Sequence, residues 1–158
     1  MEDTFVAFVE ERGRALYRYG YLLTGNAHDA DDLVQEALLR VRRRWGRVTE
    51  PEAYTRTAMA RLNISFWRRR RRETLTAAPP EAGRTDGRLD QIENDTGLWD
   101  RVARLPARQR AVLVLRYHEG LDDERIAEVL GISRGTVRSQ AARALDKLRA
   151  PEGSAVHA

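Results

Sequence analysis

Two stretches of this chain carry side chains able to grip a polyanion. In the first, Arg134, Thr136, Arg138, Ser139, Gln140 and Arg143 share the outward side of one helical repeat, opposite Val137 and Ala141. Guanidinium, amide and hydroxyl groups so spaced offer donors to base edges and phosphates when a helix lies in a major groove. Ser133 is a good N-cap for that helix and belongs to the same surface. In the second stretch, Asn63-Ile64-Ser65-Phe66-Trp67 runs into five consecutive arginines at 68–72. Rings beside guanidinium groups suit an unpaired strand, the ring stacking on a base while the charge holds the backbone. The alternative for Phe66 and Trp67 is core packing, and for Phe66 it is preferred.

The elements needed to position the first group are legible just upstream. Ile126, Ala127 and Leu130 fall at helical spacing and share an apolar face. Gly131 can leave the helix at positive φ, Ile132 anchors the turn, and Thr136-Val137 opens a second helix. A hairpin with solvated arginines would share the coarse pattern. Small Ala127, a glycine four positions later and an apolar residue after it favour a helix-turn-helix.

The rest of the chain reads as helices. Phe5, Phe8, Val9, Leu16, Tyr19 and Leu23 mark a first helix over residues 4–23, closed by Gly25, with Asn26 able to cap the next. That second helix opens with Asp29, Asp31 and Asp32 and ends among Arg40, Arg42, Arg43 and Arg44, both in the sense the helix dipole favours. Trp45-Gly46 ends it, and a third helical stretch covers residues 52–72. Residues 73–97 hold Pro79-Pro80, three glycines and six acidic residues with few apolar groups, which predicts a linker with at most a helical turn near Leu89 and Ile92. From Leu98, the residues Trp99, Val102, Leu105, Val112 and Leu115 begin a second apolar-periodic region, with Pro106 at a helix start. The expected fold is all-α: two small helical domains, residues 1–72 and 98–149, joined by a flexible acidic linker over 73–97 and followed by a tail over 150–158.

Composition narrows the function. The net charge of +4 hides segregation: residues 53–72 hold seven arginines and no acid, while the linker beside them is acidic. A basic stripe points to a polyanionic partner, and an acidic strip to a segment kept off phosphate. No cysteine is present, so disulfides and thiolate metal sites are excluded, and His28, His118 and His157 lack metal-ligand spacing. No apolar run reaches membrane-spanning length, and Met1-Glu2-Asp3 lacks the basic start of a signal peptide. A cytoplasmic protein without membrane, metal, cofactor or small-molecule substrate is expected. No nucleophile–histidine pair or phosphate-cradling glycine loop supports an enzyme, so no catalytic residue is expected.

With these residues in view, the chain resembles the extracytoplasmic-function (ECF) sigma factors of bacterial RNA polymerase, especially the short actinobacterial SigE-like type. DADDLVQEALLRVRRRW is similar to sigma region 2.2, YTRTAMARLNISFWRRRRR to regions 2.3–2.4, and LPARQRAVLVLRYHEGLDDERIAEVLGISRGTVRSQAARALDKLR to region 4. The resemblance implies that Asp31, Asp32, Leu33, Val34, Gln35 and Glu36 dock on the β′ clamp helices of the core enzyme, with region 4 at the β flap. It implies that the loop from Trp45 to Pro51 pockets a flipped −10 base, and that Arg61, Asn63, Trp67, Arg68 and Arg69 face the melted −10 strand. The helix carrying Arg134, Thr136, Arg138 and their neighbours would read the −35 major groove. The family also admits an anti-sigma factor as a partner.

Two departures bear on specificity. Arg61 stands where the family pattern has Asn, and Ser65 where it has Asp; in the recognition helix, Gln140-Ala141 replaces a frequent Arg-Leu. Base preferences are therefore not transferable. The competing function is a self-standing DNA-binding regulator, which would account for the helix-turn-helix but leave the aromatic–arginine stretch and the docking-like helix without a use.

Overall fold

The computed structural model describes residues 2–76 and 97–150, apart from the side chains of Arg70, Arg71 and 73–76. Most of the expected linker, its turn near Leu89 and Ile92, and residues 151–158 of the tail lie outside that description. Seven α-helices form the described residues: α1 (Glu2–Thr24), α2 (Ala27–Arg43), α3 (Pro51–Thr76), α4 (Leu98–Ala103), α5 (Ala107–Leu113), α6 (Asp123–Leu130) and α7 (Arg134–Arg149). A short 3₁₀ turn, Trp45–Arg47, links α2 to α3, and α5 runs into a π turn, Val114–His118.

Helices α1–α3 form the first bundle. The α1–α2 corner uses Gly25 at φ 71 and Asn26, whose side chain accepts from the Asp29 N–H at 3.0 Å. Satisfying one of the free N–H groups of α2 this way starts the helix at the expected place. Leu16, Leu22 and Leu23 of α1, Leu33 and Ala37 of α2, and Met59 of α3 are buried together. Gly20 lets α1 sit close to its neighbours, because a Cβ there would meet the Met59 Cε at 3.2 Å and the Ala30 carbonyl at 3.4 Å. Helix α3 continues through the arginine run to Thr76, so the run is helical.

The second bundle, α4–α7, holds the helix-turn-helix. Asp122 caps α6 by accepting from the Arg125 N–H at 2.8 Å, and Ser133 caps α7 by accepting from the Thr136 N–H at 3.0 Å. Gly131 closes α6 at φ 68, ψ 37, and a Cβ there would meet nothing, so backbone conformation rather than space calls for glycine. Ile126, Val137, Ala141 and Ala144 are buried, which seats α7 across α6 and α5 as the apolar spacing predicts.

The two bundles are docked. α1 packs on α4 and α5, α3 packs on α5 and α6, and the buried apolar residues of both halves form one continuous cluster. Nothing in the periodicity of either half announced that contact.

Candidate nucleic-acid interface

Helix α7 presents the first surface. Arg134, Arg138, Ser139 and Arg143 are exposed, while Thr136 and Gln140 are half-buried at its edge and Val137 is 0% exposed on the opposite side. Ser133 and Thr136 hold each other by a 2.9 Å hydroxyl contact, and the Ser139 hydroxyl donates to the Thr136 carbonyl at 3.1 Å. Those bonds tie the small polar side chains to the helix start. None of the three arginines has an ion-pair partner among the described residues, so each guanidinium is available to an anion. Behind this surface, Arg116 pairs with Asp123, which raises the Arg116 pKa further and pins the π turn to the start of α6.

The second surface is a basic hollow between the 3₁₀ turn and α3. Arg40, Arg44, Arg47, Tyr54 and Arg61 line it together with Glu50, Thr57 and Arg125 of α6. Arg40 and Arg44 were read from the sequence only as partners of the helix dipole, and Arg47 only as part of the loop from Trp45 to Pro51. Their spacing of four and three places them on one side, a signal that was available. Tyr54, 38% exposed, was likewise missed as a candidate stacking ring.

Several expected contact residues occupy other positions. Asn63 is 3% exposed, and its amide donates to the Leu23 carbonyl at 3.4 Å, so it ties α3 to the end of α1. In this arrangement the Asn63 amide faces the end of α1 and not solvent. Trp45 is also a packing residue. Its indole N–H donates to the Thr4 hydroxyl at 2.8 Å, and its ring meets Phe5 edge-on at 5.3 Å and Phe8 at 5.5 Å. It staples the turn after α2 to the first turns of α1. Trp67 is half-buried with the guanidinium of Arg108 over its ring at 5.8 Å, and Arg61 Nε donates to the Val129 carbonyl at 3.4 Å. Of the arginine run, Arg68 and Arg72 border Trp67 and Arg108, whereas Arg69 turns toward α2 and lies over Phe66 at 4.7 Å. Phe66 is thus a packing residue, as preferred.

The expected docking stretch on α2 divides by helical periodicity. Leu33 and Val34 face the core, while Asp31, Asp32 and Gln35 are exposed and Glu36 is half-buried. The Gln35 amide donates to Asp31 at 3.2 Å, and Arg40 pairs with Glu36 at 3.8 Å. Leu39, 47% exposed beside this acidic edge, gives the strip an apolar contact that the sequence reading left out.

A three-helix bundle with an acidic strip on α2 and a basic hollow beside α3, joined to a helix-turn-helix, places this chain among helical proteins of the helix-turn-helix type. Sigma-70 region 2 matches residues 8–73 and Sigma-70 region 4 matches residues 102–150. The RNA polymerase sigma-E factor of Streptomyces avermitilis is 36% identical over 149 residues, covering 92% of this chain and 83% of that one. The ECF sigma factor SigL of Mycobacterium tuberculosis is 34% identical over 158 residues, covering 90% and 85%. A solved structure of the sigma factor RpoE of Bartonella quintana, in complex with the anti-sigma factor NepR, aligns with TM-score 0.64 at 22% identity, covering 94% of this chain and 96% of that one; it supports the fold. The chain belongs to the ECF sigma factors of the sigma-70 family, and its function is promoter-specific transcription initiation with RNA polymerase core.

Proposed function

We propose a division of labour among these surfaces. Ser133, Arg134, Thr136, Arg138, Ser139, Gln140 and Arg143 of α7 read the −35 major groove. Arg61, Trp67, Arg68 and Arg69 serve the melted −10 strand, joined by the basic wall of Arg40, Arg44 and Arg47. Asn63 and Trp45 act at one remove, by holding α3 and the 3₁₀ turn in place. Asp31, Asp32, Gln35, Glu36 and Leu39 meet the β′ clamp helices, and residues 98–149 meet the β flap. Domain boundaries at 72 and 98 follow from the same division. The chain performs no chemistry of its own; it acts in the cytoplasm, where core polymerase is, and an anti-sigma factor is a fitting regulator.

The observation that carries this reading is the unpartnered arginine row of α7 opposite the buried Val137. Fixed donors on a helix face that has no internal use match base-edge readout. The test is run-off transcription by core enzyme plus this chain on a randomised promoter library, alongside gel filtration with core. Enrichment of linked −35 and −10 elements and comigration with core are expected. Specific DNA binding without comigration would instead make the chain a self-standing regulator.

A further inference from the structure

At the seam between the bundles, Arg56, Arg110 and Arg125 are each held by oxygen atoms. Arg56 of α3 pairs with Glu119 at 2.8 Å, with their side chains only 17% and 14% exposed. Arg110 of α5 donates through Nε to the Leu23 carbonyl at 2.6 Å, and through Nη1 to the carbonyls of Ala103 at 3.1 Å and Leu105 at 3.0 Å. Arg125 of α6 pairs with Glu128 at 2.7 Å and donates to the Thr57 hydroxyl at 3.5 Å. One corner of the seam is built differently. There Trp67, Arg68 and Arg72 of α3 and Arg108 of α5 line a hollow of about 600 Å³, and its described lining holds no acidic residue. The Arg108 guanidinium lies 5.8 Å from the centre of the Trp67 ring, at the outer limit of a cation–π contact. Neither the Arg68 nor the Arg108 guanidinium has an oxygen partner among the described residues.

We infer that this hollow binds a polyphosphate group, of the kind carried by a nucleoside triphosphate or an inorganic polyphosphate chain. A concave site lined by charges of one sign concentrates the opposite ion. Arg68 and Arg72 are four residues apart, so they stand on one side of α3, roughly 6 Å apart along its axis. Arg108 approaches the same hollow from α5. Each planar guanidinium offers paired N–H donors that match phosphate oxygens, and three such forks suit a chain of phosphates better than one small anion. The volume lies within the range of sites for small organic ligands. Half-buried Trp67 adds a flat apolar wall, a surface on which a base stacks. The site shares Trp67 and Arg68 with the surface assigned to the −10 strand, yet it does not rest on that assignment, because Arg108 belongs to the other bundle. Donors drawn from both bundles tie the anion to the docked arrangement, so a bound ligand stabilises that arrangement by mass action.

The test is calorimetric titration of the full-length chain, at constant ionic strength, with tripolyphosphate, ATP, AMP and sulfate. Tripolyphosphate and ATP should bind roughly tenfold or more tightly than AMP or sulfate. Arg68→Ala and Arg108→Ala should each weaken tripolyphosphate binding roughly fivefold or more. Arg14→Ala, an exposed position on α1 with the same charge change, should leave it unaltered. Arg108→Lys keeps the charge and loses the fork, so it should give a smaller loss, and it serves where circular dichroism melts show Arg108→Ala unfolded. ATP binding tighter than tripolyphosphate, with the excess lost in Trp67→Leu, upholds the site and identifies a nucleotide. Equal binding of the two upholds it and identifies a polyphosphate chain. Sulfate binding as tightly as tripolyphosphate, or an equal loss in Arg14→Ala, overturns the site as charge attraction alone. A loss in Arg68→Ala with none in the folded Arg108 variants overturns a site shared by both bundles. Binding of a labelled single-stranded oligonucleotide, with none of tripolyphosphate, overturns it too and leaves the hollow to DNA.

Discussion

Helix α7 turns Arg134, Arg138 and Arg143 to solvent, whereas α3 brings half-buried Trp67 and exposed Arg61 into contact with the neighbouring bundle. Both helices are basic, and both were read from the sequence as nucleic-acid faces. They differ in what backs them. Helix α7 is amphipathic in the simple sense, with Val137, Ala141 and Ala144 seated on α5 and α6 and the polar side left over. Helix α3 is surrounded, with α1 and α2 on one side and α5 and α6 on another, so its side chains answer to several neighbours at once. A one-sided helix keeps its function visible; a central helix divides its residues between structure and binding.

The largest effect that would sharpen this contrast is Val137→Asp. A carboxylate without a partner at a position 0% exposed should cost ~3–5 kcal/mol and unseat α7. A thermal melt should show the loss, with −35-dependent transcription gone. Retention of both would mean that α7 is not held by its apolar side. Next is Arg138→Ala, on the free side of the same helix. It should lose ~1–3 kcal/mol of discrimination at one −35 position while core binding and melting temperature stay unchanged. A uniform loss across all promoters in a binding titration would mark Arg138 as a phosphate contact instead.

Trp45→Ala probes the other region, where a residue expected at a base packs on α1. Loss of its contacts with Phe5, Phe8 and Thr4 should cost about 2 kcal/mol, since the ring is only half-buried, and lower the melting temperature by ~4–8 °C. An unchanged melt with impaired promoter opening would return Trp45 to the DNA. Replacing Arg69–Arg71 by Ser tests how the run is spread. Successive positions of a helix lie about 100° apart, so about one phosphate contact, and not three, should vanish from the salt slope of promoter binding. A fall of about two or more would mean the strand wraps round α3.

The smallest effect concerns Glu52, between Arg12 at 2.7 Å and Arg56 at 3.0 Å. The hydrogen bond from Arg12, aided by Arg56, holds its carboxyl below the usual glutamate range. A lowered folded-state pKa contributes stability that is present above the unfolded value and lost as pH falls through the folded one. The wild type should therefore exceed Glu52→Gln in stability at neutral pH by a small margin that shrinks below about pH 4. A margin independent of pH in denaturant titrations would show that the pair with Arg12 contributes little.

Local chemistry was enough for much of this molecule. Asn26 and Ser133 cap the helices they were expected to cap, Gly131 takes the positive φ of the turn, and Val137 and Ala141 point inward. Each follows from a residue and its near neighbours, through hydrogen bonds within one turn and a period of 3.6. The family was legible for the same reason, because its three motifs are local patterns in a fixed order. What only the tertiary structure decided are the roles of side chains whose partners lie far along the chain. Asn63 became an internal donor because Leu23, 40 residues away, offers a carbonyl. Trp45 became a staple because Thr4, 41 residues away, stands beside it. The docking of the bundles depends on Arg110 reaching a carbonyl 87 residues distant. A backbone carbonyl has no sequence signature of its own, so whether an arginine or an amide meets one, or meets DNA, is set by how the helices cross.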